Sequence, residues 1–108
     1  MRNSGERRAR RHYRLRGYRI LAANAWAGGN EVDLVARRGR RLVFCEVKER
    51  GREDFGAPVD YVHPEKQRRV RRAAEAWLAA RPELDELEIS FDVVTVGPEG
   101  LRRTADAF

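Results

Sequence analysis

The sequence predicts a three-layer α/β sandwich, with two helices covering the faces of a central mixed β-sheet. Three observations predict it. Helical spacing of apolar residues appears near residues 4–16 and again near 64–80. β-rich segments fill the space between and after them, in the order α-β-β-β-α-β(-β). The two central strands are apolar on both faces: Val32, Leu34 and Ala36 with Val43, Cys45 and Val47 on one side, Val35, Leu42 and Phe44 on the other. A sheet buried on both faces needs a covering layer on each. With 108 residues, 42% of them apolar, the chain supplies one such core and no second.

Asn3 followed by Glu6 matches a capping box, and Glu6, Ala9 and Tyr13 follow at helical spacing up to a stop at Gly17. Residues 18–25 read as the first strand, and Gly28-Gly29-Asn30 as a turn. Residues 31–37 and 41–48 flank Arg38-Gly39-Arg40 and read as a hairpin. Residues 49–63, with Gly51, Gly56 and Pro58, form a loop long enough to be functional. Pro64 suits the first turn of the second helix, whose buried stripe is Val70, Ala73, Ala74, Trp77 and Leu78. Arg81-Pro82 ends it, 87–96 is a strand, 97–100 turns the chain, and 101–104 adds a short last strand.

Composition narrows the function. No apolar run approaches the roughly 18 residues of a transmembrane helix, and no apolar stretch follows the basic N-terminus as in a signal peptide. The single cysteine, Cys45, excludes a disulfide framework and a cysteine-based zinc site. A soluble, cytoplasmic domain is expected, with no membrane and no small-molecule cofactor. The net charge of +6 is uneven, at +9 over residues 1–50 and −3 over 51–108. Arginines cluster at Arg7, Arg8, Arg10, Arg11, Arg14, Arg16 and Arg19, then at Arg37, Arg38, Arg40 and Arg41. A third cluster is Lys66, Arg68, Arg69, Arg71 and Arg72. Three basic clusters on a small domain fit a surface that tracks phosphates, although solvated helix faces and a charged turn would give the same pattern.

Acidic residues within buried strands carry the chemical signal, because burying a charge is costly without compensation. Asp33 lies between Val32 and Leu34, and Glu46 and Lys48 flank Val47. Residues two apart share a strand face, so Glu46 and Lys48 point the same way. Asp33 joins them if paired residue numbers in the hairpin sum to an odd value. A two-residue loop at 38–39 gives 77, and a four-residue loop at 38–41 gives 79 and sets Asp33 opposite Glu46. A three-residue loop at 38–40 sends Asp33 to the other face. Two carboxylates and an ammonium in one polar spot suit a hard Mg²⁺ or Mn²⁺ ion acting on a phosphodiester, with Lys48 orienting water or neutralising the transition state. The structural alternative is a buried ion network, which is a weak source of stability.

Lys66 sits one helical stripe ahead of Val70, Ala73 and Trp77 and reaches towards a phosphate at the site, or snorkels at the helix end. Gln67 is either its neighbour at the site or an exposed polar residue. Glu31 shares the face of Asp33 near the sheet edge. Glu6 alone reads as a carboxylate favoured by the helix dipole. Trp77 is assigned to the core, Trp26 to packing of the glycine turn or stacking on a base, and His12 and His63 to the surface. Cys45 reads as a small buried hydrophobe, and Asp92 as an arginine partner or strand cap.

Asp33, then twelve residues, then Glu46-Val47-Lys48 resembles the PD-(D/E)xK pattern of restriction-endonuclease-like nucleases. The wider match resembles the bacterial YraN family, itself similar in fold to archaeal Holliday-junction resolvases. It spans Gly5-Glu6, Gly17-Tyr18 through Leu21, Asn24, residues 30–36, Phe44 to Lys48 with Arg50, Phe55-Gly56, Lys66-Gln67, residues 91–94 and Ala107-Phe108. The resemblance implies a restriction-endonuclease-like three-layer fold over residues 1–108. It implies metal ligation by Asp33, Glu46 and Glu6, with the Val47 carbonyl nearby and Lys48 as the catalytic lysine. It further implies a DNA substrate, branched or otherwise structured, and a homodimer. Contacts to DNA are expected from Arg7, Arg10, Arg11, Arg14, Arg50 and Arg69. Two residues depart from the family pattern, Asn30 in place of glycine and Glu49 after the lysine, the latter adding negative charge near the site. The alternatives are a module of the same fold that holds nucleic acid without cutting it, and a scaffold whose Arg-rich helices dock an acidic protein.

Overall fold

In the computed structural model, which describes residues 4–51 and 62–108, helix α1 (Ser4–Leu15) is followed by strands β1 (Arg19–Ala27), β2 (Asn30–Arg38) and β3 (Arg41–Glu49). Helix α2 (Pro64–Ala79), a 3₁₀ turn (Pro82–Leu84) and strands β4 (Glu88–Gly97) and β5 (Gly100–Thr104) complete the chain. Asn3 and the centre of the 49–63 loop lie outside the described residues, so the expected capping box and the loop are not placed. The sheet order is β1-β2-β3-β4-β5. Neighbours are antiparallel except β3 and β4, which run parallel. A parallel pair needs a long crossover, and α2 lies within it. This five-stranded mixed sheet between two helices is the predicted α/β class and is compatible with a restriction-endonuclease-like three-layer fold.

The β2–β3 turn has two residues but sits one position later than 38–39. Arg38 pairs with Arg41, leaving Gly39-Arg40 as the turn. Gly39 has φ +58, the positive value that two-residue hairpin turns require. The ladder sum is therefore 79, the value expected from a four-residue loop, and it holds from Leu34↔Cys45 to Arg38↔Arg41.

One apolar cluster joins α1 to the sheet through Ala9, Tyr13, Tyr18, Leu34, Val43, Cys45 and Val94. The other joins α2 through Val70, Ala73, Ala74 and Trp77 to Val32, Val35, Leu42 and Phe44. Phe44 meets Trp77 edge-on at 5.7 Å and stacks on Phe91 at 5.8 Å, and Phe91 stacks on the C-terminal Phe108 at 5.3 Å. Helix α1 buries only Gly5, Ala9 and Tyr13, too narrow a stripe for twelve residues to stay helical unaided. Polar anchors at both ends hold it. The Tyr13 hydroxyl donates to Asp92 at 2.7 Å. Glu49 accepts from the Gly5 amide at 3.1 Å, satisfying an orphan donor of the first turn. A Cβ on Gly5 would lie 2.8 Å from the Glu49 side chain, which would have to shift to admit it. Asp92, fully buried, also accepts from Ser90 at 2.5 Å and from Arg103 at 2.9 Å. It is the arginine partner considered from the sequence, and it is a tie between layers.

Candidate active site

The β1–β2 register shifts between Ile20 and Ala22, and the backbone of β1 departs from regular strand again at Asn24. Ala23↔Leu34 and Ala25↔Val32 bracket Asn24 and Asp33 in the β1–β2 ladder. Asn24 adopts φ +50, a left-handed conformation that asparagine tolerates better than most residues. Strict alternation fails there: Val32 and Val35 both join the α2-side cluster, while Leu34 and Ala36 join the α1 side. On the other flank, the β2–β3 register carried one residue past Leu34↔Cys45 sets Asp33 opposite Glu46. Asp33 uses its side chain there, accepting from the Val47 amide at 2.8 Å.

Glu46 follows Leu42 and Phe44 on the α2 face of β3, and Lys66 of α2 reaches its Oε2 at 3.0 Å. Glu46 is 7% exposed. Its Oε1 is buried with no hydrogen-bond partner among the described residues. Burial, then the neighbouring Asp33 charge, pushes the Glu46 carboxyl up to about 7 against the pull of Lys66. Burial also raises Asp33, partly offset by the Val47 amide and reinforced by the Glu6 charge. Glu6 enters from α1, where it accepts from the Asn24 amide group at 3.1 Å. The two acids are therefore close, desolvated and incompletely neutralised.

Lys48 is exposed and lines a hollow of about 270 Å³ with Glu46, Val47, Val62, His63 and Lys66. The structure thus brings Asp33, Glu46, Lys48 and Lys66 together, with Glu6 at the rear. Gln67 donates to the Val62 carbonyl at 3.0 Å and braces one wall of that hollow. Glu31 is exposed and borders an adjoining hollow with Lys66 and Arg69. Arg7, Arg11, Arg14 and Arg69 are exposed and Arg10 is half-buried. Arg50 is half-buried, with its Nε buried and without a hydrogen-bond partner among the described residues.

Three expectations change. Glu49 lies on the α1 face and caps that helix instead of loading the site with charge. His12 is half-buried rather than at the surface, because α1 packs along the sheet there; its pKa is lowered by burial and then by Arg16. Trp26 is not packed against the glycine turn and is 72% exposed. His63 is exposed, as expected, and accepts from the Glu65 amide to cap α2. Trp77 and Cys45 are core residues, as expected. The part played by Asn24 was missed. Its signal was a lone polar, turn-favouring residue between Ala23 and Ala25 in a strand.

A magnesium ion suits this donor set. The donors are hard carboxylate oxygens, one of them orphaned, and Lys66 already stands in as a counter-cation. Among the described residues no group of three His, Cys, Asp or Glu side chains converges into a metal cage. An ion here would rest on Asp33 and Glu46 and draw its remaining ligands from water and a phosphate.

An α/β fold with an acid pair where its sheet opens defines a class; sequence comparison supplies the family. The model of the uncharacterised protein family UPF0102 matches residues 5–96. A UPF0102 protein of Rhodopseudomonas palustris strain BisB18 is 43% identical over 100 residues, covering 93% of this chain and 73% of the relative. Another from Bradyrhizobium diazoefficiens is 42% identical, covering 93% and 74%. One from Parafrankia sp. is 46% identical over 92 residues, covering 85% and 77%. The chain belongs to the UPF0102 family, the YraN family that its motifs resemble. Within the described residues no helix is long and apolar enough to cross a membrane.

Proposed function

We propose that this protein is a metal-dependent endonuclease that hydrolyses phosphodiester bonds of DNA, with branched or junction DNA as its substrate. The observation that carries the reading is the pairing of half-buried Asp33 with buried Glu46, whose charge is incompletely neutralised, beside a hollow lined by Lys48 and Lys66. Bound to that pair, Mg²⁺ or Mn²⁺ would supply charge stabilisation at a phosphoryl oxygen and an acidified water. The chain's own residues do the rest. Asp33 and Glu46 would hold the ion, and the Val47 amide fixes the Asp33 carboxylate through its 2.8 Å bond. Lys48 presents an ammonium to the phosphate and offsets the negative charge that builds in the transition state. Lys66, 42% exposed and paired with Glu46 at 3.0 Å, would offer its remaining donors as a second phosphate contact. The exposed arginines of α1 attract the polyanion and steer its approach. A four-way junction needs paired cuts, so the proposal includes a two-fold dimer.

The test is cleavage of branched, flapped and blunt duplex DNA in Mg²⁺ and in Mn²⁺, by wild type and Lys48→Ala. The expected result is cleavage of branched substrates that falls at least 100-fold in Lys48→Ala. Equal cleavage by both proteins, or none on any substrate, overturns the reading. Salt-sensitive binding that Glu46→Gln improves, with no cleavage by wild type, identifies a non-cleaving binding module instead.

A further inference from the structure

Trp26 stands 72% exposed near the end of β1, although an indole is among the groups that gain most from burial. It pairs across the ladder with Glu31, which lies two residues, about 6.6 Å of strand, from Asp33. Trp26, Gly29, Asn30, Glu31, Lys66 and Arg69 line a shallow hollow of about 260 Å³. Lys66 also lines the neighbouring hollow and holds Glu46 at 3.0 Å. A free aromatic plane and two cations therefore border the acid pair along one continuous strip of surface.

We infer that Trp26 is a stacking platform for an unpaired DNA base next to a phosphate held at Lys66. The indole offers a π-face that any base can cover, and a base within an intact duplex has no face to offer. The Glu31 carboxylate on the same wall repels a phosphate, so phosphates belong at Lys66 and Arg69 and the base belongs on the indole. The substrate class this selects is a single strand, or the splayed strand at a branch. The inference rests on the phosphodiesterase reading for its choice of partner, and its test needs no cleavage.

Tryptophan fluorescence is titrated in EDTA at low salt with a single-stranded oligonucleotide and with the blunt duplex of the same sequence. Trp77, 5% exposed beneath α2, supplies a constant background. The single strand is expected to quench the wild-type signal, the duplex to leave it unchanged, and Trp26→Phe to abolish the quench. Trp26→Ala is expected to weaken single-strand binding about tenfold, read by anisotropy of a labelled strand, and to leave duplex binding unaltered. Absence of a quench by the single strand, a quench that survives in Trp26→Phe, or equal loss of both DNA forms in Trp26→Ala overturns the inference. Cleavage in Mg²⁺ without a Trp26 signal removes the inference and spares the nuclease reading. A Trp26 signal without cleavage does the reverse.

Discussion

Replacing Glu46 by glutamine keeps the shape of the side chain and removes its charge, which turns the electrostatics of the site into a stability measurement. The Glu46 carboxyl moves from 4.5 in the unfolded chain to about 7 in the folded one, chiefly through burial and then through Asp33. A raised carboxyl means that the folded state binds more protons over this interval. Stability is then full below the unfolded value and is lost as pH rises towards the folded value. At about 1.36 kcal/mol per pH unit, ionised Glu46 lowers wild-type stability by about 3 kcal/mol at alkaline pH. Glutamine carries no such cost. Lys66, left without its partner, is 42% exposed and returns to water. Urea unfolding of both proteins from pH 4 to pH 8 should therefore give curves that diverge. Relative to Glu46→Gln, wild type should lose about 2–3 kcal/mol across the interval, with most of the loss between pH 5 and pH 7. Mg²⁺ at pH 8 should recover stability in wild type in a concentration-dependent way and do so more weakly in the variant. Two curves that stay parallel across this range would refute the claim that the Glu46 charge is buried and under-compensated.

Two further predictions concern the frame around the site. Asp92→Ala should lower stability by about 3–5 kcal/mol in urea unfolding, because it leaves Arg103, Tyr13 and Ser90 facing an empty buried position. Asn24→Ala should cost about 2 kcal/mol, from the lost Glu6 bond and from alanine forced to positive φ. Asn24→Gly should cost about half as much, since glycine removes the strain and loses only the bond; equal losses in the two variants would remove the conformational argument.

The elements were legible because their signals are local. The stripe of Val70, Ala73 and Trp77 and the two-sided apolar strands β2 and β3 describe burial directly, and the structure ends each of these elements within about two residues of the expected bounds. The acids were legible for the same reason, since charge inside an apolar strand stands out. What was not legible depends on three dimensions. The hairpin loop could be counted several ways, and only the pairing of Arg38 with Arg41 selects the register of 79. Glu49 follows Lys48 in sequence, but strand alternation turns it to the opposite layer, where it meets Gly5, a residue 44 positions away. Trp26 could have been packed or exposed, and no spacing rule separates those outcomes beside a glycine turn.

The end of the β2–β3 ladder at Leu34↔Cys45, one residue short of Asp33 and Glu46, argues that the acid pair has a purpose beyond holding the layers together. The fold already ties its layers with another buried carboxylate. Asp92 is encircled by Tyr13, Ser90 and Arg103, and its contacts link α1, β4 and β5. Asp33 and Glu46 are built differently. The β2–β3 pairing runs only as far as Leu34↔Cys45, a left-handed asparagine sits in the neighbouring strand, and the single cation that reaches Glu46 among the described residues comes from a half-exposed lysine. A structural ion pair at this position would be stabilised by more donors, or replaced by apolar residues at no loss. Glu46, with an unpaired oxygen and Asp33 beside it, lines a hollow together with two lysines and leaves room for a cation that the chain does not supply. The strain at Asn24 and the raised carboxyl of Glu46 are then parts of one arrangement, stability given up where the sheet opens so that a metal and a phosphate can complete it.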